Sequence, residues 1–261
     1  MSLPTTIETV AEYWNRRPCN IRHSRAPIGT RAYFDEVEQR KYFVEPHIPS
    51  FADFARWNDR RVLEIGCGIG TDAVNFARAG AEYTGVELSE VSLDLAKRRF
   101  DLFGLNGNFV HANAEHLSEH VRRASFDLIY SFGVIHHTPS PEAVIRQARR
   151  AIRPDGEFRL MVYARDSWKD TMIEAGFDQP EAQSGCPIAH TYTQAEMRAL
   201  LRANDFLATE ISQDHIFPYV VEKYVEHEYE LQSWFAAMPQ AMFRALESRF
   251  GWHMLVVAKP A

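Results

Sequence analysis

A chain of 261 residues, 46% hydrophobic and 25% charged, can bury a full core, so neither a metal nor a disulfide is needed to hold it together. Its net charge of -6 excludes a general field for nucleic acid while leaving room for a local basic patch, and its three cysteines, Cys19, Cys67 and Cys186, are too scattered for a disulfide frame or a zinc set and fit reduced cytoplasmic thiols. The N-terminal stretch MSLPTTIETV has no basic segment followed by an apolar one, and no run approaches the roughly 18 apolar residues of a membrane span, so a cytoplasmic enzyme with no membrane partner is expected.

Residues 1–57 precede the first strand and carry Tyr13, Trp14, Arg16, Arg17, Tyr33, Tyr42 and His47; a helical cap or lid is expected there. Within it, Arg22, His23 and Arg25 form a compact cationic cluster on a loop, suited to a carboxylate or phosphate of a ligand and equally to an ion-paired surface loop. The main unit is expected over 58–261.

Arg61 to Gly80, RVLEIGCGIGTDAVNFARAG, is a short apolar strand, a glycine-dense turn and a helix. Gly66, Gly68 and Gly70 at alternate positions suit a backbone that a ligand approaches closely. The dinucleotide fingerprint, Gly-x-Gly-x-x-Gly, places its third glycine one residue later, where Thr71 stands here. Glu64, at the strand's end, would repel a pyrophosphate and attract an ammonium. Thr71 and Glu64 therefore disfavour a nicotinamide oxidoreductase.

The acid followed by Gly-x-Gly-x-Gly resembles the first motif of class I S-adenosylmethionine-dependent methyltransferases. That resemblance implies a loop passing close under the cofactor, with Glu64 helping to hold the methionine ammonium and with Gly66, Cys67, Gly68, Gly70 and Asp72 around it. Further on, EYTGVEL reads as a second strand ending in Glu87, beside Leu88. A carboxylate about twenty residues past the glycines can accept both ribose hydroxyls in either enzyme class, or cap the helix that opens near Ser89. A third strand, NFVHA, leads into Asn113, Ala114 and Glu115, where the family often has an acid for the adenine amino group. Asn113 departs from that pattern, its carbonyl being able to make the contact without charge.

Phe126 to Val134, FDLIYSFGV, is an apolar run bounded by polar residues, the pattern of a buried parallel strand, and the resemblance places its Ser131 by the cofactor. His136 and His137 follow at once. A hydroxyl acceptor needs a base, histidine titrates near neutrality, and a strand-end position puts one of the two near the methyl group; packing beside the cofactor is the competing role. Pro154-Asp155-Gly156 then forms a turn that launches a fifth strand, as in the family. FLATEI and MLVVA read as two last strands. Together these imply an α/β fold: a doubly wound, mostly parallel seven-strand sheet with an antiparallel last strand, and helical N- and C-terminal lid additions.

Two further additions lie at about 165–192 and 217–250. The second alternates apolar and charged residues at helical spacing and is expected to form two helices broken at Pro239, covering the site or making a homodimer contact. Tyr33, Tyr42, Tyr163, Tyr192, Tyr219 and Tyr224 are candidates for an aromatic acceptor pocket. Glu226, His227 and Glu228 are neighbours in sequence but point to different helix faces, so no metal site is expected there. The resemblance thus implies S-adenosyl-L-methionine as cofactor and methyl transfer to a small-molecule acceptor, first at oxygen. RNA or protein methylation and a non-catalytic cofactor-binding module are the alternatives.

Overall fold

The computed structural model describes residues 6–177 and 185–261; residues 1–5 of the expected cap and 178–184 of the expected insertion lie outside them. The chain opens with three helices, α1 (Ile7–Arg16), α2 (Arg31–Val44) and α3 (Ile48–Ala52). Thr6 and Thr30 cap the first two, each hydroxyl accepting a backbone N–H of the first turn. Then come β1 (Arg61–Ile65), α4 (Thr71–Arg78), β2 (Glu82–Glu87), α5 (Glu90–Phe103), β3 (Asn108–His111), β4 (Phe126–Phe132), α6 (Pro141–Ala151) and β5 (Ile152–Ala164). Ser89 and Ser140 cap α5 and α6, and Gly104 ends α5 in the left-handed conformation.

The second half holds α7 (Trp168–Glu174), β6 (Thr191–Tyr192), α8 (Gln194–Ala203), β7 (Phe206–Asp214), α9 (Val221–Val225), α10 (Ser233–Ala236), α11 (Gln240–Phe250) and β8 (His253–Pro260). Thr193 and Glu196 make a reciprocal capping box at the start of α8. Among the described residues, no helix is long and apolar enough to cross a membrane.

The strands lie in the order β3-β2-β1-β4-β5-β8-β7, with β8 antiparallel to both neighbours. This is the expected seven-strand path plus one addition: β4 pairs with β5 only as far as Met161, and β6 pairs with Tyr163 and Ala164 beyond it. Side chains alternate between two cores, as strand geometry requires. Val62, Leu128 and Tyr130 face α4 and α5 with Phe76 and Phe100, while Leu63, Ile129 and Leu160 face α6 and α8 with Val144 and Met197. Strands buried on both faces are what the apolar run Phe126–Phe132 anticipates.

Two expectations need correction. Pro154-Asp155-Gly156 is a bulge inside β5, not a turn before it: Phe126 pairs with Ile152 and Leu128 with Glu157, so the intervening residues loop out of the ladder. Gly156 permits this, because a Cβ there would lie 3.0 Å from the Asp127 carbonyl and 3.1 Å from that of Phe126. The segment 217–250 holds three short helices, not two. Tyr219 bridges to Leu231, His227 adopts a φ of 61°, and only the break at Pro239, just before α11, falls where the sequence places it.

Candidate active site

The strand order reverses between β1 and β4, and ligands of open α/β sheets bind beyond the carboxyl ends of strands at such a point. A cavity of about 220 Å³ lies there. Gly66, Gly68, Glu87, Leu88, Asn113 and Ala114 line it from the β1, β2 and β3 ends, and Val134, His137, Met161 and Tyr163 from the β4 and β5 ends. All three additions close it: Trp14, Lys41 and Glu45 from the first, Trp168 and Lys169 from the second, Phe217, Val221 and Tyr224 from the third.

The three loop glycines serve different purposes. A Cβ on Gly66 (φ 76°) would stand 2.3 Å from a Val134 methyl, and one on Gly70 (φ 79°) 3.1 Å from Ala96 of α5, so both are packing requirements. Gly68 (φ 52°) has nothing within 4 Å of that position and lines the cavity. Its N–H donates to Glu87 Oε2 at 2.8 Å, and the Ser89 N–H donates to Oε1 at 2.8 Å. Glu87 thus ties the loop to β2 and keeps spare lone pairs toward the cavity; burial raises its pKa.

Beneath the loop lies a polar hub. Asp72 accepts from Lys41 Nζ at 2.7 Å, the Tyr42 hydroxyl at 2.9 Å and the Tyr130 hydroxyl at 3.0 Å. Burial pulls the Lys41 ammonium down, but Asp72 and Glu45 outweigh it and leave the pKa raised. Glu64 belongs to this hub. It accepts from the Tyr83 hydroxyl at 2.6 Å, and burial, reinforced by Asp72, pushes its pKa up to about 8. It is absent from the cavity wall, where the expectation had a carboxylate beside the ammonium.

Five more cofactor candidates stand behind the wall. Cys67 is buried against β2, and Gly70 packs on α5. Asp72 holds the hub, and Ser131 donates to the Ile65 carbonyl at 3.3 Å. Glu115 Oε1 accepts the Ser140 N–H at 2.8 Å at the start of α6. Asn113 lines the cavity, and its Oδ1 accepts the Glu115 N–H at 3.0 Å, which fixes the side chain and leaves one lone pair of that oxygen.

Of the two histidines, only His137 reaches the cavity. Its Nδ1 lies 2.6 Å from the Ile188 carbonyl, which can only accept, so the proton sits on Nδ1 and Nε2 carries the lone pair, 3.3 Å from the Tyr163 hydroxyl. Burial lowers its pKa to about 4. His136 is fully buried, its ring 3.8 Å from that of Tyr163, and neither ring nitrogen has a hydrogen-bond partner among the described residues. It supports Tyr163 and touches no ligand space.

The acceptor candidates divide similarly. Tyr163 and His23 line the cavity. His23 is not part of a cationic cluster: burial and then Arg40 lower its pKa to about 3, and its Nε2 lies 3.2 Å from the Tyr224 hydroxyl. Arg22 is exposed, and the Arg25 guanidinium donates to the Glu226 carbonyl. Tyr33 is fully buried and donates to the Ile21 carbonyl at 2.9 Å, Tyr42 serves the hub, and Tyr192 packs on the core from β6. The sequence reading missed Trp14, Lys41, Glu45, Lys169, His215 and His253. Only the four-residue spacing of Lys41, in the last turn of α2, and Glu45, just after it, carried any local signal.

Residues 62–156 match the family model described as a methyltransferase domain. That segment therefore carries a methyltransferase domain. It is similar to the ubiquinone biosynthesis O-methyltransferase of Salmonella paratyphi A, at 29% identity over 121 residues, 45% of this chain and 49% of that protein. It is also similar to that of Aromatoleum aromaticum, at 33% over 98 residues, 38% and 42% of the two chains. The chain thus spans about half the length of the curated relatives it matches. Two solved structures share the fold. Magnesium protoporphyrin IX methyltransferase from Synechocystis PCC 6803 is 15% identical with a TM-score of 0.63, covering 97% of this chain and 99% of that one. Geranyl diphosphate C-methyltransferase from Streptomyces coelicolor A3(2) is 15% identical with a TM-score of 0.64, covering 99% and 100%.

Proposed function

We propose that this protein transfers a methyl group from S-adenosylmethionine to a hydroxyl of a small molecule. The observation that carries the reading is a single cavity lined both by Gly68 and Glu87 and by the His137–Tyr163 pair. When bound, S-adenosylmethionine supplies an electrophilic methyl on a sulfonium. Gly68 leaves the floor open for it, Glu87 offers lone pairs to ribose hydroxyls, and Asn113 with Ala114 borders the adenine. His137 Nε2 takes the acceptor's proton, Tyr163 positions that hydroxyl, and the three additions exclude water.

A small acceptor is supported by the charge around the cavity. Among the described residues its charged lining is balanced, Lys41 and Lys169 against Glu45 and Glu87, whereas an RNA substrate demands a basic face. An oxygen acceptor is supported by the names of the relatives from Salmonella paratyphi A and Aromatoleum aromaticum. Against a binding-only module stands the second half of the cavity, which a cofactor site alone has no use for.

The test is methyl transfer from labelled S-adenosylmethionine to a panel of phenols, alcohols and amines, with wild type and His137→Ala. The variant is expected to lose about 10²–10⁴-fold in kcat while binding S-adenosylhomocysteine normally. Because the basic form of His137 is lost only as pH falls through about 4, the wild-type rate should show no acidic limb from pH 8 to 5. A limb near 6.5, or an unaffected kcat in the variant, would assign the base elsewhere.

A further inference from the structure

Beyond the residues used so far, the cavity holds a second cluster. Glu45, just after α2, His215, just after β7, and His253, at the start of β8, have ligand atoms that all lie within 4.8 Å of one another. Three separate elements converge on one point of the wall, from positions up to 208 residues apart in the chain (253 minus 45). We propose that Glu45, His215 and His253 bind a divalent first-row transition-metal ion, with His47 as the partner that orients His253.

The donor set is two imidazoles and one carboxylate, a set used both by catalytic zinc sites and by non-haem iron sites that keep positions open for a substrate. Bonds of about 2.0–2.2 Å place such ligands roughly 3.5 Å apart, so rotations of about an ångström close the site. His253 Nε2 already lies 3.7 Å from Glu45 Oε1. Its Nδ1 lies 3.0 Å from His47 Nε2, and His47 Nδ1 in turn lies 3.8 Å from Asp214 Oδ1. With the His47 proton on Nδ1 toward that carboxylate, His253 donates from Nδ1 and presents the Nε2 lone pair. That is the outer-shell arrangement that fixes metal-binding histidines.

The His215 ring stacks on that of His253, with centroids 4.5 Å apart and planes 25° from parallel, so a side-chain rotation is part of closing the site. His215 takes a φ of 73° while its N–H donates to Asp214 Oδ1 at 2.7 Å and its carbonyl accepts the Trp252 N–H at 2.8 Å. Its ring makes no hydrogen bond among the described residues, yet it lines the cavity. Lys41 and Lys169 are the opposing cations nearby; Lys41 is held by Asp72, and Lys169 stands 5.3 Å over the Trp252 ring.

The site would deepen the proposed chemistry, on which its role rests. Tyr163 is the direct cross-strand partner of His253, so a metal-bound acceptor oxygen falls beside the His137–Tyr163 pair. A base with a pKa of about 4 is poorly matched to an ordinary phenol near 10, and coordination lowers the pKa of a bound hydroxyl.

Metal binding is read without acceptor or methyl donor, by titrating the chelator-treated full chain with Co²⁺ and following its visible d–d absorption, then displacing it with Zn²⁺. One Co²⁺ per chain is expected, lost in His215→Ala and in the volume-preserving Glu45→Gln, and weakened about 10–100-fold in His47→Ala. S-adenosylhomocysteine binding by each variant reports that the cavity is intact. Absence of Co²⁺ binding in a protein that binds S-adenosylhomocysteine, or Co²⁺ bands unchanged in both ligand variants, overturns the metal site alone. Co²⁺ bound without any S-adenosylhomocysteine affinity supports the site and overturns the proposed transferase reading.

Discussion

Gly68→Val is expected to melt within a few degrees of wild type and to bind S-adenosylhomocysteine at least 100-fold more weakly. At φ 52° a side chain costs about 1–2 kcal/mol of backbone strain, but its Cβ meets no protein atom within 4 Å, so the fold tolerates it. The branched side chain instead fills the space under which the ligand must lie. Gly66→Val makes the contrast, because its Cβ would stand 2.3 Å from Val134. That variant should lose several degrees of melting temperature before any ligand is added. Calorimetric titration of both separates the two roles. Normal affinity in Gly68→Val would mean that the ligand does not pass over this loop.

Asp72→Ala should be among the most destabilising single changes in the chain, at about 3–5 kcal/mol. The carboxylate is buried and receives the Lys41 ammonium and two tyrosine hydroxyls. Its removal leaves a cation without its strongest partner and two hydroxyls without an acceptor. The loss should fall on the docking of α2, since Lys41 and Tyr42 belong to α2 and Asp72 to α4. Asp72→Ala combined with Lys41→Met should recover part of the stability, because the stranded charge is gone although the two hydroxyls still lack an acceptor. Urea unfolding of the single and double variants measures this, and a loss under about 1 kcal/mol in Asp72→Ala would show the hub to be unimportant.

The sheet was legible in the sequence wherever a local pattern reported a local fact. Apolar runs marked β1, β4 and β8, and the alternate glycines marked the turn at the switch point. What could not be read was which side of a residue faces the ligand. Glu64, Asp72, Ser131 and Glu115 sit at the expected chain positions, yet each is turned into the protein by partners such as Tyr83, Lys41 and the Ser140 N–H. Motif spacing fixes a backbone path and leaves the direction of hydrogen bonding to tertiary contacts. The lids were less legible still. His227 adopts a left-handed φ within a pattern that reads as helix, and Glu45, His215 and His253 become neighbours only through the antiparallel pairing of β7 and β8 and the docking of α2.

Whether the cavity is built for S-adenosylmethionine is read from the melting temperature of the wild-type chain. It should be measured alone and with S-adenosylmethionine, S-adenosylhomocysteine, NAD and NADP. A ligand at a hundred times its dissociation constant adds about 2.7 kcal/mol, which for a chain of 261 residues is a rise of several degrees. S-adenosylmethionine and S-adenosylhomocysteine should each give that rise, and the nicotinamide cofactors none. A rise with NAD or NADP alone, or no response to S-adenosylhomocysteine, would contradict that reading of the cavity.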